Sequence, residues 1–252
     1  MNYLIGDIGN TSIKICKLNN KLKIKNSFLF ETKDKYLLFH FKKKLNKILK
    51  GRVNKKILFS SVVPSVYSKV KKVLKNKNFK TYEIKEFRLK NIMKFKIKNF
   101  SQLGSDRIAN AFSLIDRYNS NYIIIDFGTA TTFDIIKKNQ IYDGGIIAPG
   151  IKSSIENLFT STALLPMFQL KKYPSDYGRN TKDALASGFF WGYQGLINNI
   201  LKKIIKKNGN NCKIVLTGGY SYLFKNRLYK KTKIEKDITM QGLIKIYKTF
   251  LI

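Results

Sequence analysis

Apolar and polar positions along this chain alternate between two periods. Continuous or alternating apolar runs over 3–10, 12–18 and 21–30 predict three short strands, with Asn19-Asn20 as a tight turn between the second and third. A helical period follows from about Asp34 to Lys50, then a strand over 56–63. A helix from Pro64 to Asn76, with proline in its tolerated first turn, leads to a short strand over 80–85. At Asn121 the order begins again, with strands over 121–130, 131–138 and 140–148 and a turn at Asn139. Helical patterns at about 150–160 and 181–208, a strand over 212–219, a short helix, a strand near 232–236 and a helix from Met240 to Phe250 complete it.

The two halves share this order and one local signature, DIGN at 7–10 and DFGT at 126–129, offset by 119 residues. Two copies half a chain apart indicate a duplicated domain and not a solenoid. The expected fold class is α/β: two similar lobes, 1–115 and 116–252, each a mixed sheet flanked by helices, with a cleft between them.

Composition sharpens this without redirecting it. A hydrophobic fraction of 44% over 252 residues suits a globular chain with a proper core, and four prolines leave no linker-like stretch. The net charge of +34 invites a nucleic-acid reading, but the excess is Lys spread along polar helix faces, as in KKKLNKILK (42–50) and LKKIIKKN (201–208). Arg, the better reader of bases and phosphates, is scarce, so no specific nucleic-acid partner is expected. Cys16 and Cys212 lie in apolar strand patterns outside any CxxC spacing, which suits reduced, buried thiols. His40, the single histidine, excludes a His-rich metal site and is expected at a partly buried helix position. The N-terminal MNYLIGDIGNT enters a strand directly, and no apolar run reaches the roughly 18 residues a membrane span needs. A soluble, cytoplasmic protein without a membrane partner is expected.

The candidate chemistry sits at the repeated turns. A glycine turn exposes backbone N–H groups to phosphate, hydroxyls add hydrogen bonds, and an adjacent carboxylate can hold Mg²⁺. The first copy offers Asp7, Gly9, Asn10, Thr11 and Ser12, with Lys14 alternating onto the face of Ser12. The second offers Asp126, Gly128, Thr129, Thr131 and Thr132. Either copy alone reads better as a plain hairpin whose Asp and Gly cap strands; the pair favours phosphate binding. GIIAPGIK (145–152) has P-loop glycine spacing but carries Ile151 where Lys belongs. Between the copies, QLGSDRIANAF (102–112) places Asp106 and Arg107 at a helix start. Spacing alone fits helix capping by Ser105 or Asp106, and fits equally a small polar substrate whose hydroxyl proton Asp106 would accept.

In order and interval, DIGNTSIK (7–14), SSVVP (60–64), LGSDR (103–107), DFGTATTFD (126–134), GGIIAPG (144–150), NTKDAL (180–185), LTGG (216–219) and LIKIY (243–247) resemble the type III pantothenate kinases. Those kinases belong to the acetate kinase, sugar kinase, Hsp70 and actin superfamily. The resemblance implies two ribonuclease H-like, actin-like lobes and ATP-dependent phosphorylation of pantothenate, the first step to coenzyme A. By position it makes Asp7, Ile8, Gly9, Asn10, Thr11, Ser12, Ile13 and Lys14 the first phosphate motif, with Asp7 near Mg²⁺. Gly104, Ser105, Asp106 and Arg107 become the pantothenate segment, with Asp106 as general base. Asp126 is matched to a monovalent cation, K⁺ or NH₄⁺, Thr129 to the nucleotide and Thr181 to substrate. Thr181 alone reads as the N-cap of a helix from 182. The resemblance also implies a homodimer.

Members carry an aromatic residue and Asn-Pro before the LGSDR-like segment, whereas this chain reads Ile97-Lys98-Asn99-Phe100, which predicts a looser turn there. Two other readings are a superfamily phosphohydrolase acting on polyphosphate-like substrates, and an inactive nucleic-acid-binding accessory protein of the same fold. The set Asp7, Asp106 and Asp126 weighs against loss of catalysis.

Overall fold

Strand β1 (Asn2–Ile8) lies at the centre of the first sheet, with Leu4 and Ile8 buried on one face and Ile5 on the other. It pairs antiparallel with β2 (Ser12–Leu18), which pairs antiparallel with β3 (Ile24–Glu31). On its other side β4 (Val53–Ser61) and then β5 (Lys80–Glu83) run parallel, giving the order β3-β2-β1-β4-β5. The computed structural model describes residues 1–117, 119–170 and 173–252. It divides the chain into two units, the first formed by Met1–Arg117 together with Asp237–Ile252.

Strand periodicity sorts the first unit into two faces. Leu4, Ile8, Ile13, Ile15, Phe28, Phe30, Ile57 and Phe59 form one apolar core with α1 (Leu37–Leu49) and α2 (Pro64–Lys75). The opposite parity turns Tyr3, Ile5 and Asp7 towards α3 (Ser105–Phe112) and α7 (Ile238–Leu251). The rings of Tyr3 and Tyr247 meet edge to face at 5.5 Å, and Tyr247 Oη donates to the Lys56 carbonyl at 2.9 Å. A two-residue strand, β6 (Lys94–Phe95), precedes α3.

The second unit repeats the plan. Its strands β7 (Asn121–Phe127), β8 (Ala130–Lys137), β9 (Ile141–Pro149), β10 (Cys212–Gly218) and β11 (Thr232–Ile234) run in the order β9-β8-β7-β10-β11. As in the first unit, the leading three are antiparallel neighbours and the last two add in parallel. The helices α4 (Ile151–Thr160), α5 (Thr181–Asn208) and α6 (Ser221–Phe224) cover it, with Phe127, Phe190 and Phe224 stacked in the core. The duplication expected from DIGN and DFGT is thus a repeat of a five-strand order.

Several expectations are revised. The terminal helix, expected with residues 116–252, belongs to the first unit, where it packs on α3, β1 and β4. Gly242 makes this possible: a Cβ there would lie 1.7 Å from the Ala109 carbonyl oxygen, so only glycine lets the helices approach so closely. His40 is exposed on α1, with Nδ1 at 2.5 Å from Asp34 Oδ2. Cys16 is buried but Cys212 is only half-buried, and both thiols are free. Among the described residues no helix is long and apolar enough to cross a membrane.

Candidate active site

The segment 7–14, expected to be the first phosphate motif, folds as a hairpin turn. The Gly9 N–H donates to the Ser12 carbonyl at 2.9 Å, leaving the side chains of Asn10, Thr11 and Ser12 exposed. Thr32, just past β3, fastens the turn twice: its hydroxyl donates to the Gly9 carbonyl at 2.7 Å and its N–H to the Thr11 carbonyl at 3.0 Å. Nothing in the local sequence around Thr32 signals this role, because it arises only from the β2–β3 register. Ile8 and Ile13 are buried against α1 and α2, so only their backbone borders the turn. Asp7 and Lys14 are directly opposed partners in the β1–β2 ladder and share the face turned to α3 and α7. The Lys14 ammonium reaches Asp237 Oδ1 at 2.5 Å.

The segment Gly104–Arg107 adjoins the same end of β1. Val62, whose N–H donates to the Ile8 carbonyl at 3.0 Å, extends the β4 ladder, and a Cβ on Gly104 would meet Val62 at 3.6 Å. Gly104 is the N-cap residue of α3, and Ser105 behind it is buried. Neither Ser105 nor Asp106 caps the helix through its side chain. The Asp106 carboxylate instead folds back and accepts the Arg107 N–H at 2.8 Å. A Cβ on Gly104 would stand 2.4 Å from Asp106 Oδ1, so glycine there leaves room for the carboxylate. Burial pushes the Asp106 carboxyl above the usual carboxylate range, opposed by the Arg107 N–H and guanidinium and by the Lys85 ammonium. A buried carboxyl with a raised pKa is the type of group that can accept a hydroxyl proton.

The turn before this segment is closed, contrary to the expectation from its missing proline. Asn99 Oδ1 accepts the N–H and hydroxyl of Ser101 at 3.0 and 2.7 Å, and Lys85 Nζ donates to the Ser101 carbonyl at 2.9 Å. The rings of Phe95 and Phe100 pack edge to face at 4.8 Å. Side-chain capping and ring packing do here what a proline's fixed φ would do.

In the second unit Asp126 ends β7 opposite Thr132 on β8 and Thr217 on β10. The turn repeats the first: the Gly128 N–H donates to the Ala130 carbonyl at 3.1 Å, and the Thr129 side chain is exposed. Ser153 of α4 donates to the Thr129 carbonyl at 3.0 Å. Gly218, at φ +83°, crosses Asp126 so closely that a Cβ would lie 2.7 Å from its Oδ1. Thr131 takes the opposite parity and is fully buried, which removes its hydroxyl from the turn. Thr181 is the first residue of α5, and the cap is Asn180, whose Oδ1 accepts the Asp183 N–H at 3.0 Å. Thr181 lines an apolar groove of about 480 Å³ with Leu165, Ala184, Leu185, Gly188 and Phe189.

Among the described residues no three His, Cys, Asp or Glu side chains gather as a metal cage. The donor set at each turn, one carboxylate beside exposed backbone and hydroxyls, fits a hard cation that completes its shell with water and phosphate oxygens.

The sequence matches the family profile described as type III pantothenate kinase over residues 3–203. A type III pantothenate kinase of Pelagibacter ubique (strain HTCC1062) is 45% identical over 243 residues, covering 96% of this chain and 97% of that protein. One from Sulfurihydrogenibium sp. (strain YO3AOP1) is 35% identical over 243 residues, covering 94% and 96%. A solved structure of a 2-dehydro-3-deoxygalactonokinase-type protein from Sinorhizobium meliloti aligns with a TM-score of 0.62 at 9% identity, covering 98% of each chain. That last likeness concerns the fold alone.

Proposed function

The chain belongs to the type III pantothenate kinase family, and from that premise we propose how its residues divide the ATP-dependent phosphorylation of pantothenate on the way to coenzyme A. One observation carries the assignment: Asp7 and Asp126 occupy the same place, near the end of a strand beside a glycine turn, in two units that repeat the same order of five strands. Phosphoryl transfer needs positioning and charge neutralisation more than covalent help, and paired turns supply donors for both.

The primary hydroxyl of pantothenate attacks the γ-phosphorus in line. The new O–P bond forms as the bond to the ADP oxygen breaks, and Asp106 takes the hydroxyl proton. Gly104, Ser105, Arg107 and Thr181 are the substrate contacts, with the Arg107 guanidinium or the α3 N-terminus receiving the pantothenate carboxylate. The Gly9–Lys14 turn and Thr129 receive the nucleotide phosphates. Asp7 is the carboxylate for Mg²⁺, and Asp126 that for K⁺ or NH₄⁺. Bound there, the cations offset phosphate charge.

A coupled assay with ATP, Mg²⁺, K⁺ and pantothenate, each omitted in turn, tests this reading. ADP should form only with pantothenate present, and Na⁺ in place of K⁺ should lower the rate. Indifference to the cation would remove the Asp126 assignment. Phosphate release without pantothenate would favour a phosphohydrolase. Salt-sensitive DNA or RNA binding without turnover would favour the accessory-protein reading.

A homodimer is proposed on the apolar groove along α5. Leu164 beside it is 91% exposed, and Met167 and Phe159 are exposed too, a surface that a second copy would cover. Sedimentation at micromolar concentration should give twice the chain mass of 29.2 kDa; a monomer mass would rule this out. The cytoplasm is the proposed location, in keeping with two free thiols, and cell fractionation checks it.

A further inference from the structure

We propose that Ser60 and Thr217 are positioning residues for the cation-holding carboxylates, Ser60 donating its hydroxyl to Asp7 and Thr217 to Asp126 when the cation is bound. This rests on the reading of Asp7 and Asp126 as the carboxylates for Mg²⁺ and for K⁺ or NH₄⁺. Ser60 opens SSVVP (60–64) and Thr217 lies in LTGG (216–219). In the β1–β4 ladder Asp7 is paired directly with Ser60, and in the β7–β10 ladder Asp126 is paired with Thr217. Both ladders are parallel, so paired residues project from the same face of the sheet. Adjacent strands lie about 4.8 Å apart, which puts a short hydroxyl side chain within reach of the neighbouring carboxylate.

Strands β4 and β10 break their apolar pattern at this same point. Ile57 and Phe59 of β4 enter one core, as Ile214 and Leu216 of β10 enter the other. The opposite face carries Leu58 and Val215, both buried, and then Ser60 and Thr217, where an apolar residue would suit the burial better. Ser60 is 0% exposed, and its Oγ has no hydrogen-bond partner among the described residues. A buried hydroxyl left unsatisfied costs stability, a cost that proteins retain where function needs the group. Donated to a carboxylate, the hydroxyl fixes the orientation of an oxygen that holds the cation. A carboxylate has about four acceptor sites, so the bond is compatible with the other contacts of Asp7 and Asp126.

The test uses the full chain and a non-hydrolysable ATP analogue, titrated calorimetrically with and without Mg²⁺ and in K⁺ or Na⁺. Ser60→Ala should weaken binding by about tenfold in Mg²⁺ and leave it unchanged without, the usual cost of losing a bond that orients a metal ligand. The thermal midpoint of the ligand-free variant should hold or rise, because an unsatisfied hydroxyl has gone. In an Asp7→Asn background, Ser60→Ala should change nothing further. Thr217→Val removes the other hydroxyl at similar size. It should raise the K⁺ concentration needed for half its effect on binding by about tenfold and keep the response to Mg²⁺. Thr217→Ser should behave as the parent. Unchanged binding of Ser60→Ala in Mg²⁺, an equal loss with and without Mg²⁺, or an unaltered K⁺ response in Thr217→Val overturns the inference. An Asp7→Asn protein that keeps the full Mg²⁺ response, or a parent indifferent to K⁺, would instead remove the metal reading of that carboxylate, and the matching half of the inference with it.

Discussion

Replacing Asp106 by Asn is expected to lower pantothenate-dependent turnover by about a hundredfold or more, the usual contribution of a positioned general base. The substitution keeps the side chain's shape, and its oxygen can still accept the Arg107 N–H that Asp106 Oδ1 accepts at 2.8 Å. The fold should survive, for a reason that follows from the raised carboxyl. A carboxyl raised in the folded state contributes stability that is fully present below its unfolded pKa and lost as pH rises through the folded one. Wherever Asp106 is ionised that contribution is gone, and the neutral Asn avoids the cost of burying charge. Thermal melts of the variant at pH 7 should match or exceed those of the parent. In the parent, kcat should fall as pH drops through the Asp106 pKa. That limb should lie above the ordinary carboxylate value of about 4 because burial raises the group. Near-parental turnover in folded Asp106→Asn, or a pH profile without that limb, would falsify the role of Asp106 as base.

Gly242→Ala should be among the most damaging single-methyl changes in the chain. The added carbon would stand 1.7 Å from the Ala109 carbonyl oxygen and 2.6 Å from its carbon, and both belong to helix backbone that cannot rotate aside. Alanine gains about 1 kcal/mol of helix propensity over glycine, but forced separation of two packed helices costs about 1–3 kcal/mol, occasionally more. The contact is far inside van der Waals range, so the upper end of that cost applies and the steric effect wins. A net loss of about 2 kcal/mol would lower the melting temperature by roughly 4–8 °C in a chain of this size. Because α3 carries Asp106, kcat should fall with the melting temperature. A melt indistinguishable from the parent would mean that α3 and α7 do not meet as described.

The element order was legible because strand and helix periods are local. The two DxG turns, the helix over 181–208 and the turn at Asn139, which takes φ +62°, fall where the pattern puts them. Alternation also sorts each strand into two faces, but it is the β1–β2 register that puts Asp7 with Lys14 on one side of the sheet and Ile8 with Ile13 on the other. The same alternation, applied to β8, would have set Thr131 apart from Thr132. His40 marks where local pattern is weaker, since a helix-face position fits burial and exposure alike until its neighbours are known.

By itself, then, the sequence determined a duplicated α/β chain with a carboxylate and a glycine turn at the end of each central strand, and an Asp-Arg pair opening a helix between the copies. Its ordered motifs also carried the resemblance to the pantothenate kinases. Only the tertiary structure decided what holds those residues in place. Lys14 meets Asp237 across 223 positions, and Asn110 meets Thr239 across 129. The terminal helix returns to the first unit through a glycine no local rule would single out. Contacts between distant segments leave no periodic trace in either one. They depend on which surfaces meet once local elements form, and that is settled by close packing and burial over the whole unit.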